Sequence, residues 1–324
     1  MRVFVAGASG AIGLPLVAQL VRQGHEVTGS FLKAGHGERI SALGAEAVAL
    51  DVLDDAAVRR VVAAARPDAI IHQATALADF GFSRNMDKTF AVTNRIRTAG
   101  TDSLLAAARE CGVTRFLAQS FASFRYARTG GWVKTETDPL DPHPVAGARA
   151  TNAAMRHLDD VVTAAGGIAL RYGGFYGAAS DAFPAAVRKR QLPVIGSGVG
   201  VSSFIHLEDA AAGTVLALDH GRPGLYHIVD DEPAAMRDWL PVLAQVLGAR
   251  PPRHAPLWLA RLMGGEGAVV MGTQARGASN AKAKQELGWT PRYPSWREGF
   301  AAAYGQRRRD EGDVSGVPAP ESSQ

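Results

Sequence analysis

Seven residues near the N-terminus, Gly7-Ala8-Ser9-Gly10-Ala11-Ile12-Gly13, restrict the fold more than any other part of this chain. They follow a β-rich run, Arg2 to Ala6, and lead into a stretch where Ile12, Leu16 and Leu20 recur at spacing four, as on one helix face. Pro15 falls in the first turn, where its missing N–H is not needed. In a strand–turn–helix unit the first glycine permits a tight turn and the second lets the backbone approach a pyrophosphate. The third lets helix and strand pack closely. The helix N-terminus adds free N–H groups and the positive end of its dipole. With 36 glycines in 324 residues such a string can arise by chance, so a merely structural turn is the alternative. The position between strand and helix favours nucleotide binding.

The rest of the first half repeats this rhythm. Glu26 to Phe31, Ala47 to Leu50, Ala69 to His72, Phe116 to Gln119 and Ile168 to Arg171 read as strands with helical stretches between them. Met155, Leu158 and Val162 form one apolar helix face, which Gly166-Gly167 ends. These features predict an α/β fold, a Rossmann-type doubly wound parallel sheet over residues 1–172. After Tyr172 prolines and glycines loosen the pattern, and residues 173–202 and 231–305 read as a small discontinuous substrate lobe. Ser203 to Leu207 and Gly224 to Val229 read as late strands, so 203–230 is expected to return to the main sheet. The polar, aperiodic residues 306–324 read as a disordered tail.

Composition narrows the function classes. Cys111 is the only cysteine, which excludes an intramolecular disulfide framework and a cysteine-rich metal cluster. No apolar run approaches the roughly 20 residues of a membrane span, and the start leaves no room for a secretory apolar region, so a cytoplasmic protein is expected. The net charge of +4 is scattered and partly sits in Arg307-Arg308-Arg309, which reads as a solvated excess rather than a nucleic-acid surface. His, Asp and Glu show no metal-ligand spacing, and no metal is expected.

Seven further motifs occur in order: Leu50-Asp51-Val52; Ile71-His72-Gln73-Ala74; Thr93-Asn94; Arg115 to Ser120; Leu170 to Gly177; Phe204-Ile205-His206-Leu207-Glu208-Asp209; and Glu286-Leu287-Gly288-Trp289-Thr290-Pro291 near the end. Together with the glycine turn, they make the chain to about Tyr304 resemble the short-chain dehydrogenase/reductase superfamily, in its extended NAD(P)-dependent epimerase/dehydratase branch or atypical relatives. The resemblance implies a dinucleotide held by Gly7, Ser9, Gly10, Ala11, Ile12 and Gly13. Asp51 and Val52 would meet the adenine, and Gln73, Ala74, Thr75 and Asn94 would lie along the ribose side. An NAD-preferring site carries an acid at the end of the second strand. Val27 to Lys33 has none, and Lys33, with hydroxyls from Ser9 and Ser30, suits a 2′-phosphate, so NADP is expected with NAD as the alternative.

Proton transfer in this superfamily relies on Tyr-x-x-x-Lys with a nearby Ser or Thr, the lysine lowering the tyrosine pKa. Matching Asp159 to the acid that follows the lysine by four puts Thr151 and Met155 where that pair should stand. No tyrosine occurs between Tyr126 and Tyr172, so no shift of register restores it. Ser120 remains as the serine candidate, and Tyr126 and Tyr176, with Tyr172, are the relocated proton donors to inspect. Arg125 or Arg171 beside such a tyrosine would lower its pKa. His206 and Asp209 read as structural, and Trp239, Trp258, Leu259, Leu262 and Met263 as lobe core or pocket wall. No arginine stands in Gly198 to Ser203, which argues against a nucleotide-sugar diphosphate.

The expected activity is NAD(P)-dependent hydride transfer to or from a small hydroxyl or carbonyl substrate. Two alternatives stay open: an epimerase or isomerase with transient hydride transfer, and a catalytically inactive NAD(P)-binding sensor or partner-binding protein. A homodimer is expected through the helices from about Thr98 to Cys111 and Arg149 to Ala165.

Overall fold

A computed structural model describes residues 1–77, 84–177 and 182–305; the expected tail at 306–324 lies outside them. The first strands are β1 (Arg2–Ala6), β2 (Glu26–Phe31), β3 (Glu46–Ala49), β4 (Ala69–His72) and β5 (Arg115–Phe121). With the strands Ile168–Tyr172 and Gly224–Ile228 they form one seven-stranded parallel sheet. Read from one edge, the order is Gly224–Ile228, Ile168–Tyr172, β5, β4, β1, β2, β3. The chain winds outward from β1 in one direction, then crosses from β3 back to β4 on the other side. The crevice outside the carboxyl ends of β1 and β4 is therefore the topological switch point, where this kind of sheet takes its ligands.

Two hydrophobic layers sandwich the sheet. On one face α1 (Gly13–Arg22) and the helix Leu207–His220 bury Leu16, Leu20, Ala211 and Val215. On the other, Asp55–Ala65, Thr101–Glu110 and Arg149–Ala164 bury Val58, Val62, Leu104, Leu158 and Val162. All four residues of β4 are buried, as expected of a parallel strand covered on both faces. Asp54 caps the helix Asp55–Ala65 by accepting the Ala57 N–H.

The lobe has its own core, in which Trp239, Phe204, Trp296 and Phe300 meet at ring-centroid distances of 5.2–5.7 Å. One expectation needs correction. Gly224–Ile228 joins the main sheet, but Phe204–His206 pairs outside it, in parallel with Gly174–Tyr176. Only three residues long and leaving Gly173 at once, this ladder carries the chain from the sheet into the lobe. Trp239 is lobe core, whereas Trp258, Leu262 and Met263 are exposed and line no buried wall.

Candidate active site

The glycine turn has the geometry its spacing implies. Gly7 takes φ +82°, and a Cβ there would stand 2.6 Å from the backbone of Ala74, so only glycine lets β1 pass the end of β4 this closely. A Cβ on Gly13 would stand 2.4 Å from the carbonyl oxygens of Gly7 and Ala8, which lets α1 sit directly on the turn. At Gly10 a Cβ would meet nothing nearer than the Gly7 oxygen at 3.2 Å; that space is an open cradle. Gly10 and Ala11 are exposed, Ile12 is buried beneath them, and no side chain caps α1. An uncapped helix start with room above its second glycine fits a pyrophosphate.

Ser30 serves the turn itself: buried, it accepts the Gly7 N–H through Oγ at 3.1 Å. Lys33 is exposed just after β2. His36, which the sequence reading passed over, brings Nδ1 to 3.4 Å from Ser9 Oγ. Its only sequence signal is a glycine before it, and Gly35 does adopt the left-handed conformation that starts this short helix. Asp51 folds its carboxylate onto the Leu53 N–H, and Val52 is buried under Gly100. Gln73 is buried and donates to the Tyr172 hydroxyl; Ala74 and Thr75 continue along the crevice, and the Ala76 N–H binds Thr93 Oγ1. The sequence-named cofactor residues are thus collected along one edge of the sheet, from β3 to β4.

The catalytic candidates are held in buried hydrogen bonds or aromatic packing rather than assembled into one group. Ser120 is buried and its hydroxyl accepts from Arg125 at 3.0 Å. Tyr126 is also buried, receiving Arg171 Nη1 at 2.8 Å and touching His227 Nε2. Its pKa is raised rather than lowered: burial outweighs the opposing charges of Arg171 and Arg125, which corrects the expectation of an activated tyrosine. Tyr172 binds Gln73 and Thr214 and is pushed up to about 12 by burial. Tyr176 packs edge-on to Phe300 and His206 in the lobe, burial raising its pKa as well. Burial makes each of the three a weaker acid than a free tyrosine. His206 and Asp209 are structural, as expected: the imidazole caps the helix Leu207–His220, and the carboxylate accepts the Arg292 and Tyr293 N–H groups.

The position expected of the catalytic tyrosine holds a closed hydrogen-bond chain instead. Thr151 donates its hydroxyl proton to Asp87 Oδ1 at 2.8 Å and accepts Asn94 Nδ2 at 3.1 Å. Asp87 also takes the Ala150 and Thr151 N–H groups, capping the helix Arg149–Ala164 from a distant part of the chain. One turn on, Met155 is buried. A turn beyond that, Asp159 anchors a buried ion cluster: its Oδ2 lies 2.7 Å from Arg125 Nη2 and 2.8 Å from Arg171 Nη2.

The sequence matches the profile of the NAD dependent epimerase/dehydratase family over residues 3–229. It is 40% identical over 308 residues to a 3-diazoavenalumate denitrifying reductase from a Streptomyces species, covering 93% of this chain and 99% of that one. It is 27% identical over 259 residues to a 4-hydroxy-2-methyl-3-oxo-4-farnesyl-3,4-dihydroquinoline-1-oxide ketoreductase of Stigmatella aurantiaca, covering 77% of this chain and 74% of the relative. Its fold matches the UDP-glucose 4-epimerase of Thermotoga maritima with a TM-score of 0.76 at 20% identity, over 96% of this chain and all of the other. Profile, relatives and sheet topology agree, and the chain belongs to the NAD-dependent epimerase/dehydratase family.

Proposed function

We propose that this protein is an NAD(P)H-dependent reductase that delivers hydride to a small, strongly electrophilic organic molecule without supplying it a proton. The observation that carries this reading is the Asp87–Thr151–Asn94 chain: the only proton on the Thr151 hydroxyl is already given to a carboxylate, and Met155 brings no charge. A ketone reduced to an alcohol needs a proton at oxygen, ordinarily from a positioned acid. An arenediazonium ion does not. A reduced nicotinamide held at the glycine turn would supply the hydride; as the carbon–nitrogen bond breaks dinitrogen would leave with the bonding pair, giving arene, N2 and oxidised cofactor. The 3-diazoavenalumate denitrifying reductase supports that substrate class for this chain.

In this reading the turn Gly7 to Gly13 seats the pyrophosphate, and Lys33, Ser9 and His36 receive a 2′-phosphate, favouring NADP over NAD. Gln73, Ala74, Thr75 and Asn94 border the ribose. Ser120, Tyr126 and Tyr176 hold the scaffold. A homodimer through Thr101–Glu110 and Arg149–Ala164, helices already joined by His157 and Asp102 at 2.9 Å, accompanies the reading; a monomer in light scattering rejects it.

The test is turnover of a hydroxybenzenediazonium carboxylate with NADPH, against a Gly10→Asp control that fills the cradle with a like charge. One N2 should be released per NADPH oxidised, with deuterium passing from 4-deuterated NADPH to the arene and none arriving from D2O. No acceleration over the Gly10→Asp control refutes the reading. Activity on a sugar without net absorbance change would favour an epimerase.

A further inference from the structure

The charges buried beneath the strand ends do not balance. Arg97, Arg125 and Arg171 are each 2–6% exposed and, among the described residues, face one buried partner carboxylate, Asp159. Arg171 stands in the strand Ile168–Tyr172 beside Ser120 of β5, and Arg97 lies in the π turn Ile96–Gly100 next to the end of β4. Burial and the Arg125 charge lower the Arg97 pKa only to about 10, so it stays a cation at neutral pH. The two buried histidines nearby add no charge there, burial holding His72 at about 4 and His227 at about 3. Glu136, on the far side of His227, would offset one cation if ionised, and burial pushes its pKa up. Among the described residues at least one positive charge is left over. Asp87, the remaining carboxylate beside Thr151, is spent on three donors at a helix start.

We propose that this buried positive excess, with Arg97 as its least compensated member, makes the site select the reduced over the oxidised dinucleotide. The inference rests on the hydride-transfer reading above. An oxidised nicotinamide ring carries a positive charge and a reduced one carries none, while the phosphates are the same in both. A positive potential at the carboxyl ends of β4, β5 and Ile168–Tyr172, outside which this sheet holds its ligand, therefore penalises only the oxidised form. The consequence is directional: NADPH is taken up in preference to NADP+, and the spent cofactor is expelled. An epimerase, which reduces and reoxidises one retained cofactor within each turnover, would gain nothing from such a field.

One unit charge acting over roughly 10 Å at an effective dielectric of about 20 changes a binding ratio by roughly tenfold. The experiment is fluorescence titration of the full chain with NADPH and with NADP+, for the wild type, Arg97→Met and Arg97→Lys, each with its thermal melt. The wild type should bind NADPH about tenfold or more tighter than NADP+. Arg97→Met should cut that ratio at least about threefold, mainly by tightening NADP+, and Arg97→Lys should keep it. Equal wild-type affinities, or an unchanged ratio in folded Arg97→Met, overturn the inference alone. A wild type that binds neither cofactor brings down the functional reading and the inference together. If Arg97→Met does not fold, the wild-type ratio and Arg97→Lys still decide: loss of selectivity in the lysine variant counts against a charge effect.

Discussion

Replacing Asp159 by asparagine is the sharpest perturbation of the buried cluster, because it keeps the shape and removes the carboxylate that Arg125 and Arg171 share. Asp159 Oδ2 sits 2.7 Å from Arg125 Nη2, 2.8 Å from Arg171 Nη2 and 2.9 Å from Arg171 Nε, and all three side chains are at most 4% exposed. Breaking a buried pair from one side costs about 3–5 kcal/mol, since it strands the remaining charge in a poorly polarisable interior. Here two guanidinium groups are stranded at once, with Arg97 behind them, while the amide oxygen of asparagine still accepts one hydrogen bond. We expect a loss of about 3–4 kcal/mol. At about 2–4 °C per kcal/mol for a domain of this size class, the melting temperature should fall by roughly 6–15 °C in calorimetry. If charge rather than packing is responsible, adding Arg97→Met to Asp159→Asn should recover part of the loss, a non-additivity expected of neighbours in one network. A single variant melting within about 2 °C of the wild type would refute the reasoning, because no buried ion cluster can lose its anion so cheaply.

Tyr126→Phe leaves an Arg171 N–H and His227 Nε2 without a partner and should cost about 1–3 kcal/mol of stability, yet keep turnover per folded molecule within about threefold; a hundredfold fall in kcat would restore Tyr126 as an acid. His72 and His227 are held near 4 and 3, below the value near 6.5 of an unfolded chain. Stability from these neutral imidazoles is complete above about pH 6.5 and is lost as pH falls towards 4, by up to about 1.4 kcal/mol per pH unit per histidine. A urea midpoint that is the same at pH 7 and pH 5 in an Asp230→Asn background, where the opposing carboxylate is removed, contradicts this. Asp230, buried with neither carboxylate oxygen finding a hydrogen-bond partner among the described residues, is pushed up to about 8 by burial, so its cost to folding grows as pH rises from about 4 to 8. Asp230→Asn should therefore stabilise the protein by about 1–3 kcal/mol at pH 8 and by little at pH 4, and equal gains at both pH values would reject the assignment. Gly13→Ala puts a methyl 2.4 Å from two carbonyl oxygens and should cost at least about 1–3 kcal/mol; an unshifted melt would mean that α1 does not pack on the turn.

Local chemistry made the N-terminal half of this protein readable. Strand, glycine turn and helix are consecutive in the chain, so the close approach of Gly7 to Ala74 and of Gly13 to the turn is announced by residue type and spacing. The strand runs were also legible, because a parallel sheet covered on both faces demands continuous apolar segments. Phe204–His206 misled because an apolar run reveals that a strand exists, not which strand it pairs with.

The sequence alone determined that a dinucleotide-type βαβ unit opens the chain and that no tyrosine or lysine stands on the helix Arg149–Ala164. Only the tertiary structure decided what occupies the place of that pair. Asp87 reaches Thr151 across 64 residues, Asn94 across 57, and Arg125, Asp159 and Arg171 meet from a loop, a helix and a strand. Whether a hydroxyl keeps its proton or a tyrosine is acidic depends on partners distant in sequence and on how much water burial removes, and both come into being only when the chain closes on itself.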